Sequence, residues 1–219
     1  LLCLCLVLAL VATLIGCVIG LICGVLNTIP YTKKDPLPKR FLLKLLRIII
    51  RIYVEVFRGT PMVLQSVFIY YGLPYFSNNA LRFDNIFAAA LLIVAINTGA
   101  YMAEIVRGGI MSIDNGQTEA GRSLGFNYLK TMYYIVVPQA FKAVLPALAN
   151  EFIALLKETS IAFYIGVADL TLGGLKIRSI TYSNFMPLVA AAIIYLVVVL
   201  ILSKLVSILE RRLRKGDNR

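Results

Sequence analysis

Polar side chains that could bind a charged solute lie within the most apolar parts of the sequence. Asn97, Tyr101 and Glu104 follow one another at steps of four and three, so a helix would place them on one face. Asn150 and Glu151 form a second polar pair inside a later apolar run. Such groups at membrane depth are costly and are typical of a path for a polar solute or an ion.

Composition excludes several other kinds of chemistry. The sequence has no histidine, which excludes histidine-based acid–base catalysis. Its 4 cysteines lie in the first apolar run without metal-ligand spacing and are interpreted as small apolar side chains. No GxxxxGK[ST] loop is found, so an ATP-driven role would require a partner. We expect no catalytic site, no metal site and no cofactor in this chain.

The elements that must position these side chains are membrane-spanning helices. Of the 219 residues, 60% are hydrophobic, and the apolar runs are long enough to cross about 30 Å of hydrocarbon as helices. We predict an all-α integral membrane protein in which residues 1–219 form one transmembrane domain. Five spans are expected, at about 1–29, 41–73, 84–112, 134–167 and 185–208.

The charge distribution predicts how the spans are oriented. The net charge is +11, and the bases concentrate in the loop at 31–40 and in the tail that begins at residue 210. Short basic loops usually face the cytoplasm, so the amino terminus is predicted outside and the carboxyl terminus inside. This pattern indicates contact with membrane lipid and argues against nucleic-acid binding. The chain begins without methionine, and we expect that leading residues are missing.

The second span is predicted to contain a break. The residues GTP at 59–61 interrupt it, with Thr60 as a helix cap and Pro61 as a first helical residue. The half after the break brings Gln65 and Ser66 into the bilayer. The half before it carries charges at steps of three and four, which predicts a basic face lying partly in the membrane interface; these charges are Lys44, Arg47, Arg51, Glu55 and Arg58.

A polar insert, DNGQTEAGRSLGF, occupies residues 114–126. Thr118 is predicted to cap a short helix that begins near Glu119. Gly121 and Gly125 lie four apart and would leave one face of that helix bare. The residues alone leave two readings open: a solvated loop with glycines at turns, or a docking element for a cytoplasmic partner.

The insert and the residues after it resemble the signature loop of ABC-transporter permeases. In that pattern Glu-Ala-Ala is followed after three residues by Gly, and after nine more by Ile, one residue and Leu-Pro. Here Glu119-Ala120-Gly121 is followed at the same spacing by Gly125, Ile135 and Val137-Pro138. The departures are Gly121 for alanine and Val137 for leucine. The segments YVEVFRGTPMVLQ, FIYYGLP, NTGAYMAEIVRGGI and LLKETS are similar to permeases that import polar amino acids.

The resemblance implies a type I ABC importer permease in a bacterial cytoplasmic (inner) membrane. It implies a coupling helix, at about 115–130, seated in a cytoplasmic ATPase. Two such ATPases would bind ATP and magnesium, a second permease chain (identical or paralogous) would complete the membrane part, and an extracytoplasmic amino-acid-binding protein would deliver substrate. The implied coupling residues are Glu119, Ala120, Gly121, Leu124, Gly125 and Pro138.

The candidate substrate-binding residues are Gln65, Ser66, Asn97, Thr98, Tyr101, Glu104, Asn150 and Glu151. Within the predicted spans, Asn97, Tyr101 and Glu151 reach one depth, and Glu104 lies about 9 Å nearer the cytoplasm. The alternative is an internal hydrogen-bond network that fixes helix packing. Arg107, one turn after Glu104, could pair with it.

Glu151 indicates the class of substrate. A lone carboxylate at the midplane favours a cationic partner, and Lys157 lies six residues away on a different face. We therefore predict a basic L-amino acid: arginine, lysine or histidine. Glutamine, glutamate or another polar amino acid is the alternative within this family. An ion-coupled secondary carrier is the alternative outside it, although the inverted repeats typical of such carriers are not found.

The outer end of the fourth span carries Lys157, Glu158 and Thr159. These residues are interpreted either as a gate or binding-protein contact, or as a local ion pair with packing. The stretch 170–175 is predicted to be an outer turn, with docking to the binding protein as the alternative.

Overall fold

The computed structural model describes residues 1–31 and 35–215, with side chains described through residue 212. Parts of the predicted basic loop and basic tail lie outside the described residues. All regular structure within the described ranges is helical, as predicted. The α-helices are α1 (Leu2–Thr28), α2 (Leu37–Gly59), α3 (Met62–Val67), α4 (Leu73–Phe76), α5 (Ile86–Met111), α6 (Asn115–Ser123), α7 (Tyr128–Thr131), α8 (Val137–Glu158), α9 (Leu170–Thr181) and α10 (Met186–Lys215).

Two π-helical segments and one 3₁₀ segment continue three of these helices directly, with no loop between. Phe68–Gly72 connects α3 to α4, Met132–Val136 connects α7 to α8, and the 3₁₀ segment Thr159–Ile165 extends α8. Four stretches of the described chain are long and apolar enough to cross a membrane, and they match four of the predicted spans: Leu2–Thr28, Ile86–Met111, Tyr128–Ile165 and Met186–Arg212.

The remaining predicted span, at about 41–73, consists of two parts. The chain leaves helical geometry at Thr60 and Pro61, as the GTP sequence predicts. The boundaries of the two helices differ from the predicted ones by one residue. Thr60 follows the last residue of α2 instead of capping α3, and Pro61 precedes the first residue of α3, Met62. Because its amino-terminal part carries a charged face, this span does not stand out as a continuous apolar helix. The five-span topology and its orientation stay predictions.

The centre of the fold is the close contact between α1 and α5. Gly16, Gly20 and Gly24 form a stripe of small residues on α1 that faces α5. A Cβ atom at Gly20 would lie 2.3 Å from the Cβ of Met102 and 2.7 Å from its carbonyl carbon. The two backbones can therefore approach only because this position has no side chain, which is the packing that small-xxx-small stripes provide in membranes.

The predicted outer turn at 170–175 is wrong, since these residues are helical. Asp169 is 1% exposed, and its Oδ1 accepts a hydrogen bond from the backbone nitrogen of Leu172 at 2.7 Å. This is the N-cap of α9. Gly173 and Gly174, which suggested a turn, are both buried in α9, and a Cβ at Gly173 would meet the side chain of Leu1. Here glycine allows close packing and not a change of direction.

Candidate functional site

Asn97 and Gln65 join α5 to the break between α2 and α3. The side-chain nitrogen of Asn97 donates to Oε1 of Gln65 at 2.8 Å and to the carbonyl oxygen of Phe57 at 3.1 Å. Gln65 in turn donates to the carbonyl oxygens of Phe57 and Thr60, at 2.9 and 3.0 Å. These bonds satisfy carbonyls that the helix break leaves free. Both side chains are buried, so the alternative of a packing network describes their contacts in this structure.

Ser66 and Thr98 are also buried. The Ser66 hydroxyl donates to the carbonyl oxygen of Met62, one turn earlier, at 2.9 Å. Thr98 lies against α1, where a Cβ at Gly16 would approach its Cγ2 to 2.9 Å. The structure therefore places Thr98 at the α1–α5 contact and separates it from the polar residues that follow on α5.

Arg58, whose side chain is exposed, forms a second polar group with Tyr101, Glu104 and Glu151. Its guanidinium carbon lies 5.4 Å from the centroid of the Tyr101 ring, within the range of a cation–π contact. Arg58 also interacts electrostatically with the carboxylates of Glu104 and Glu151, and Glu151 interacts more strongly with the like-charged carboxylate of Glu158. We name these four residues the Arg58 cluster. It brings together side chains of α2, α5 and α8.

Glu104 and Arg107 form an ion pair on α5, as the spacing suggested. The Nε atom of Arg107 donates to both carboxylate oxygens of Glu104, at 3.2 and 3.1 Å, and its Nη2 donates to Oε1. Arg107 therefore gives Glu104 an ion-pair partner on the same helix. Glu151, the second carboxylate of the cluster, has no such partner in the described part of the chain. Among the described residues, no hydrogen bond or ion pair to Glu151 is found.

Asn150 and Glu151 occupy different environments although they are adjacent. Asn150 is exposed, whereas Glu151 is half-buried and belongs to the Arg58 cluster. The structure thus brings Tyr101, Glu104 and Glu151 together, with Asn97 one turn before Tyr101 but turned into the α2–α3 break. The contacts of Arg58 with Tyr101, Glu104 and Glu151 were not predicted. The one indication in the sequence was that Arg58 is a basic residue directly before the predicted helix break at 59–61.

The polar insert forms α6 (Asn115–Ser123), which begins four residues earlier than the cap at Thr118 predicts and lies at the start of the range 115–130 that the resemblance implies. Asp114 is the cap and not Thr118, because the Oδ1 atom of Asp114 accepts from the backbone nitrogen of Gly116 at 2.6 Å. The helix ends in a Schellman motif: Phe126 donates its N–H to the Gly121 carbonyl at 3.1 Å and Gly125 to Arg122 at 2.9 Å. Gly125 has φ +82°, a conformation that glycine adopts without strain.

Gly121 and Gly125 have different roles and do not form one bare outer face. A Cβ at Gly121 would lie 2.8 Å from Cδ1 of Ile135 and 2.9 Å from Cγ2 of Thr131. Gly121 is therefore the residue through which α6 packs on α7 and the π segment. No atom lies within 4 Å of a Cβ built at Gly125.

The other predicted coupling residues are exposed to solvent. Leu124 is 75% exposed, and Glu119, Ala120 and Pro138 are also exposed. Large apolar side chains around them are exposed as well: Leu129 (74%), Tyr133 (71%) and Tyr134 (64%). An apolar surface of this kind beside a short polar helix is typical of a contact with another protein.

Lys157, Glu158 and Thr159 lie at the junction of α8 and the 3₁₀ segment. Lys157 and Glu158 are exposed, while Thr159 is 1% exposed and donates to the carbonyl oxygen of Leu156 at 2.9 Å. Lys157 lines a cavity of ≈ 550 Å³ together with Ser160, Thr171 and Tyr195. No ion pair within 4 Å joins Lys157 to Glu158 in the described part of the chain.

Comparison with known proteins identifies the family of this chain. Residues 16–215 match the family of binding-protein-dependent transport system inner membrane components. The arginine transport system permease ArtQ of Bacillus subtilis is 42% identical over 75% of this chain and 74% of its own. The glutamine transport system permease GlnP of Escherichia coli K12 is 42% identical over 74% of each chain. The L-cystine permease TcyB of Bacillus subtilis is 37% identical over 77% and 70%.

Solved structures show the same fold. An amino acid ABC transporter crystallised with histidines is 41% identical, with TM-score 0.83 over 95% of this chain and 90% of that chain. The methionine ABC transporter MetNI, in inward-facing conformations, superposes with TM-score 0.76 at 19% identity over 97% and 94%, which shows the fold alone. The family match over residues 16–215, together with relatives 42% identical over about three quarters of the chain, shows that this chain belongs to the family of inner-membrane components of binding-protein-dependent transport systems.

Proposed function

We propose that this chain is the membrane subunit of an ATP-driven amino-acid importer whose preferred substrates are basic L-amino acids. The observation that carries the proposal is Glu151, a half-buried carboxylate without a hydrogen bond or ion pair in the described residues. A carboxylate in a membrane-spanning helix is costly unless it is paired. The guanidinium of arginine or the ammonium of lysine would provide the missing partner.

Arg58 supplies a complementary site for the other end of the substrate. Every free amino acid carries an α-carboxylate, and a guanidinium binds a carboxylate with two parallel hydrogen bonds. Arg58 lies near both carboxylates of the cluster and makes no ion pair within 4 Å among the described residues. It would bind the α-carboxylate, while Glu151 would bind the cationic side chain.

The charges of the cluster and its neighbour are consistent with this arrangement. Arg58 and Arg107 balance Glu104 and Glu151, and the Glu104–Arg107 pair is already formed. A zwitterionic substrate with a positive side chain would divide its charges between Arg58 and Glu151. Tyr101, whose ring lies beside Arg58, would contribute an apolar surface with a polar tip.

Glutamine is the second candidate substrate. The Escherichia coli permease whose name states glutamine is as similar to this chain as the Bacillus subtilis permease whose name states arginine. A neutral amide side chain could accept a hydrogen bond from the hydroxyl of a protonated Glu151, or donate one to its carbonyl oxygen. The two proposals differ in the charge that Glu151 carries when substrate is bound.

We further propose that α6 couples this chain to a cytoplasmic ATPase, which binds ATP and magnesium, while an extracytoplasmic protein delivers the substrate. The exposed Glu119, Ala120, Leu124 and Pro138 would form the contact, with Gly121 and Gly125 fixing the shape of α6. Two permease chains and two ATPases are the stoichiometry that we propose. Closure of the ATPases would draw the two α6 helices together and open the path outward, as alternating access requires.

The test is uptake by the purified transporter in liposomes, with labelled arginine and with lysine, histidine and glutamine as competitors. We expect arginine and lysine to compete strongly and glutamine weakly. Glu151→Gln should lower arginine uptake about tenfold or more, as expected for loss of a charged hydrogen-bonded partner. Asp84→Asn, which removes an exposed carboxylate outside the cluster, is the matched control. Unchanged arginine selectivity in Glu151→Gln, or strong competition by glutamine alone, would favour the second candidate.

A further inference from the structure

A basic cavity opens where the end of α1, the face of α2 and the end of α5 meet; it shares Arg58 and Glu104 with the Arg58 cluster but is not lined by Glu151. Its volume is ≈ 720 Å³. Five bases and two acids line it: Lys44, Arg47, Arg51, Arg58, Arg107, Glu55 and Glu104. Both acids are already paired, Glu55 with Arg51 at 2.7 Å and Glu104 with Arg107. The cavity therefore holds excess positive charge, and Lys44, Arg47 and Arg58 make no ion pair within 4 Å among the described residues.

Arg47 is held in place before any ligand binds. Its Nη2 donates to the backbone carbonyl of Ile29, and its guanidinium carbon lies 4.7 Å from the centroid of the Tyr31 ring. Its Nε is buried and has no hydrogen-bond partner in the part of the chain that the structure describes. An arginine fixed in this way retains donors for a further acceptor at little entropic cost, and its planar fork suits a phosphate.

The cavity lies at the level of the membrane interface. The face of α2 opposite the charges exposes large apolar side chains, among them Leu42 (55%), Ile49 (53%) and Val56 (50%). A helix with one apolar and one basic face lies in the interface, with its bases among the headgroups. The same end of the bundle carries α6, because Thr28 and Met111 line a small cavity together with Asn115.

We propose that this cavity binds the phosphate group of an anionic phospholipid, with Lys44 and Arg47 as the principal ligands. Basic pockets between membrane helices on the cytoplasmic side bind anionic headgroups. The assignment to that leaflet rests on the proposed function, which places α6 in the cytoplasm. A cationic amino acid does not suit the part of the cavity lined by Lys44 and Arg47, because these two unpaired bases would repel it.

Native mass spectrometry of the purified permease–ATPase complex tests the proposal. The complex would be titrated with phosphatidylglycerol and, in parallel, with phosphatidylcholine of the same acyl chains. We expect retention of phosphatidylglycerol over phosphatidylcholine, and a loss of about fivefold in affinity for each base removed. The test variant is Lys44→Gln with Arg47→Gln. The control is Lys204→Gln with Arg211→Gln, which removes the same charge from exposed positions on α10.

Lys44→Glu alone provides a second variant that keeps the contacts of Arg47 intact. It changes an exposed side chain, so the fold should be retained while lipid binding falls. Equal retention of both lipids, or equal losses in test and control variants, would overturn the proposal. Displacement of the lipid by millimolar inorganic phosphate would assign the cavity to a soluble phosphate instead, and would also overturn it. Because the measurement needs no transport and no ATP hydrolysis, its failure is distinct from failure of the proposed function.

Discussion

The side-chain nitrogen of Asn97 on α5 lies 2.8 Å from Oε1 of Gln65 on α3, and this bond closes the break between α2 and α3. Replacing Asn97 by alanine would leave Gln65 Oε1 and the Phe57 carbonyl without their donor. We expect Asn97→Ala to lower the free energy of unfolding by about 1–3 kcal/mol. Thermal unfolding in detergent measures this change. Asn150→Ala, at an exposed position, is the control, and equal effects of the two substitutions would contradict the role given to Asn97.

Gly20 and Gly108 allow a matched comparison of two helix-interior glycines. Alanine at either position raises helix propensity by about 1 kcal/mol. At Gly20 the new Cβ would lie 2.3 Å from the Cβ of Met102, whereas at Gly108 no atom lies within 4 Å. We therefore expect Gly20→Ala to lower the melting temperature and Gly108→Ala to leave it unchanged or raise it. The same sign for both would mean that the α1–α5 contact does not limit stability.

Gly125 ends α6 with a positive φ, which an L-residue adopts at a cost of about 1–2 kcal/mol. Gly125→Ala should distort the end of α6 and weaken binding of the partner ATPase. Asparagine tolerates this conformation better than alanine, so Gly125→Asn should bind the ATPase more tightly than Gly125→Ala does. Surface-immobilised ATPase and detergent-solubilised permease give the two affinities. Unchanged binding in both, and also in Glu119→Lys, would argue against coupling through α6.

Arg58 is predicted to recognise the α-carboxylate of the substrate. Agmatine, which is arginine without that carboxylate, separates this role from recognition of the side chain. The unmodified transporter should take up arginine at least tenfold better than agmatine, as loss of a charge-assisted bond implies. Arg58→Gln should lose this discrimination, mainly through a higher KM for arginine. If Arg58→Gln preferred arginine as strongly as before, the α-carboxylate would have another partner.

Local sequence signals predicted the helices and their break well. The apolar runs placed α1, α5, α8 and α10, and the GTP sequence placed the interruption after α2. Steps of three and four also predicted the Glu104–Arg107 pair, which the structure confirms, because both residues lie on one helix. Such contacts depend on helical geometry alone.

Contacts between helices were harder to predict. Two contacts depend on how α2, α3 and α5 cross: the hydrogen bond between Asn97 and Gln65, and the grouping of polar residues around Arg58. A single sequence does not define these crossings. Glycines were also misinterpreted: Gly173 and Gly174 suggested a turn, yet they permit α9 to pack closely. The spacing of Gly16, Gly20 and Gly24 at steps of four is typical of a close contact between membrane helices, and the α1–α5 contact could have been predicted from it.

Gly121 packs α6 closely against Thr131 and Ile135, so a movement of α6 is transmitted to the segment that contains them. Because α7, the π segment Met132–Val136 and α8 follow one another without a break, a displacement of α6 acts on the start of the continuous helical segment that also carries Glu151. Pro146 lies inside α8 between that contact and Glu151, and a proline within a helix removes a backbone hydrogen bond and favours a bend. Motion of α6 would therefore change the position of the Glu151 carboxylate through a bend at Pro146.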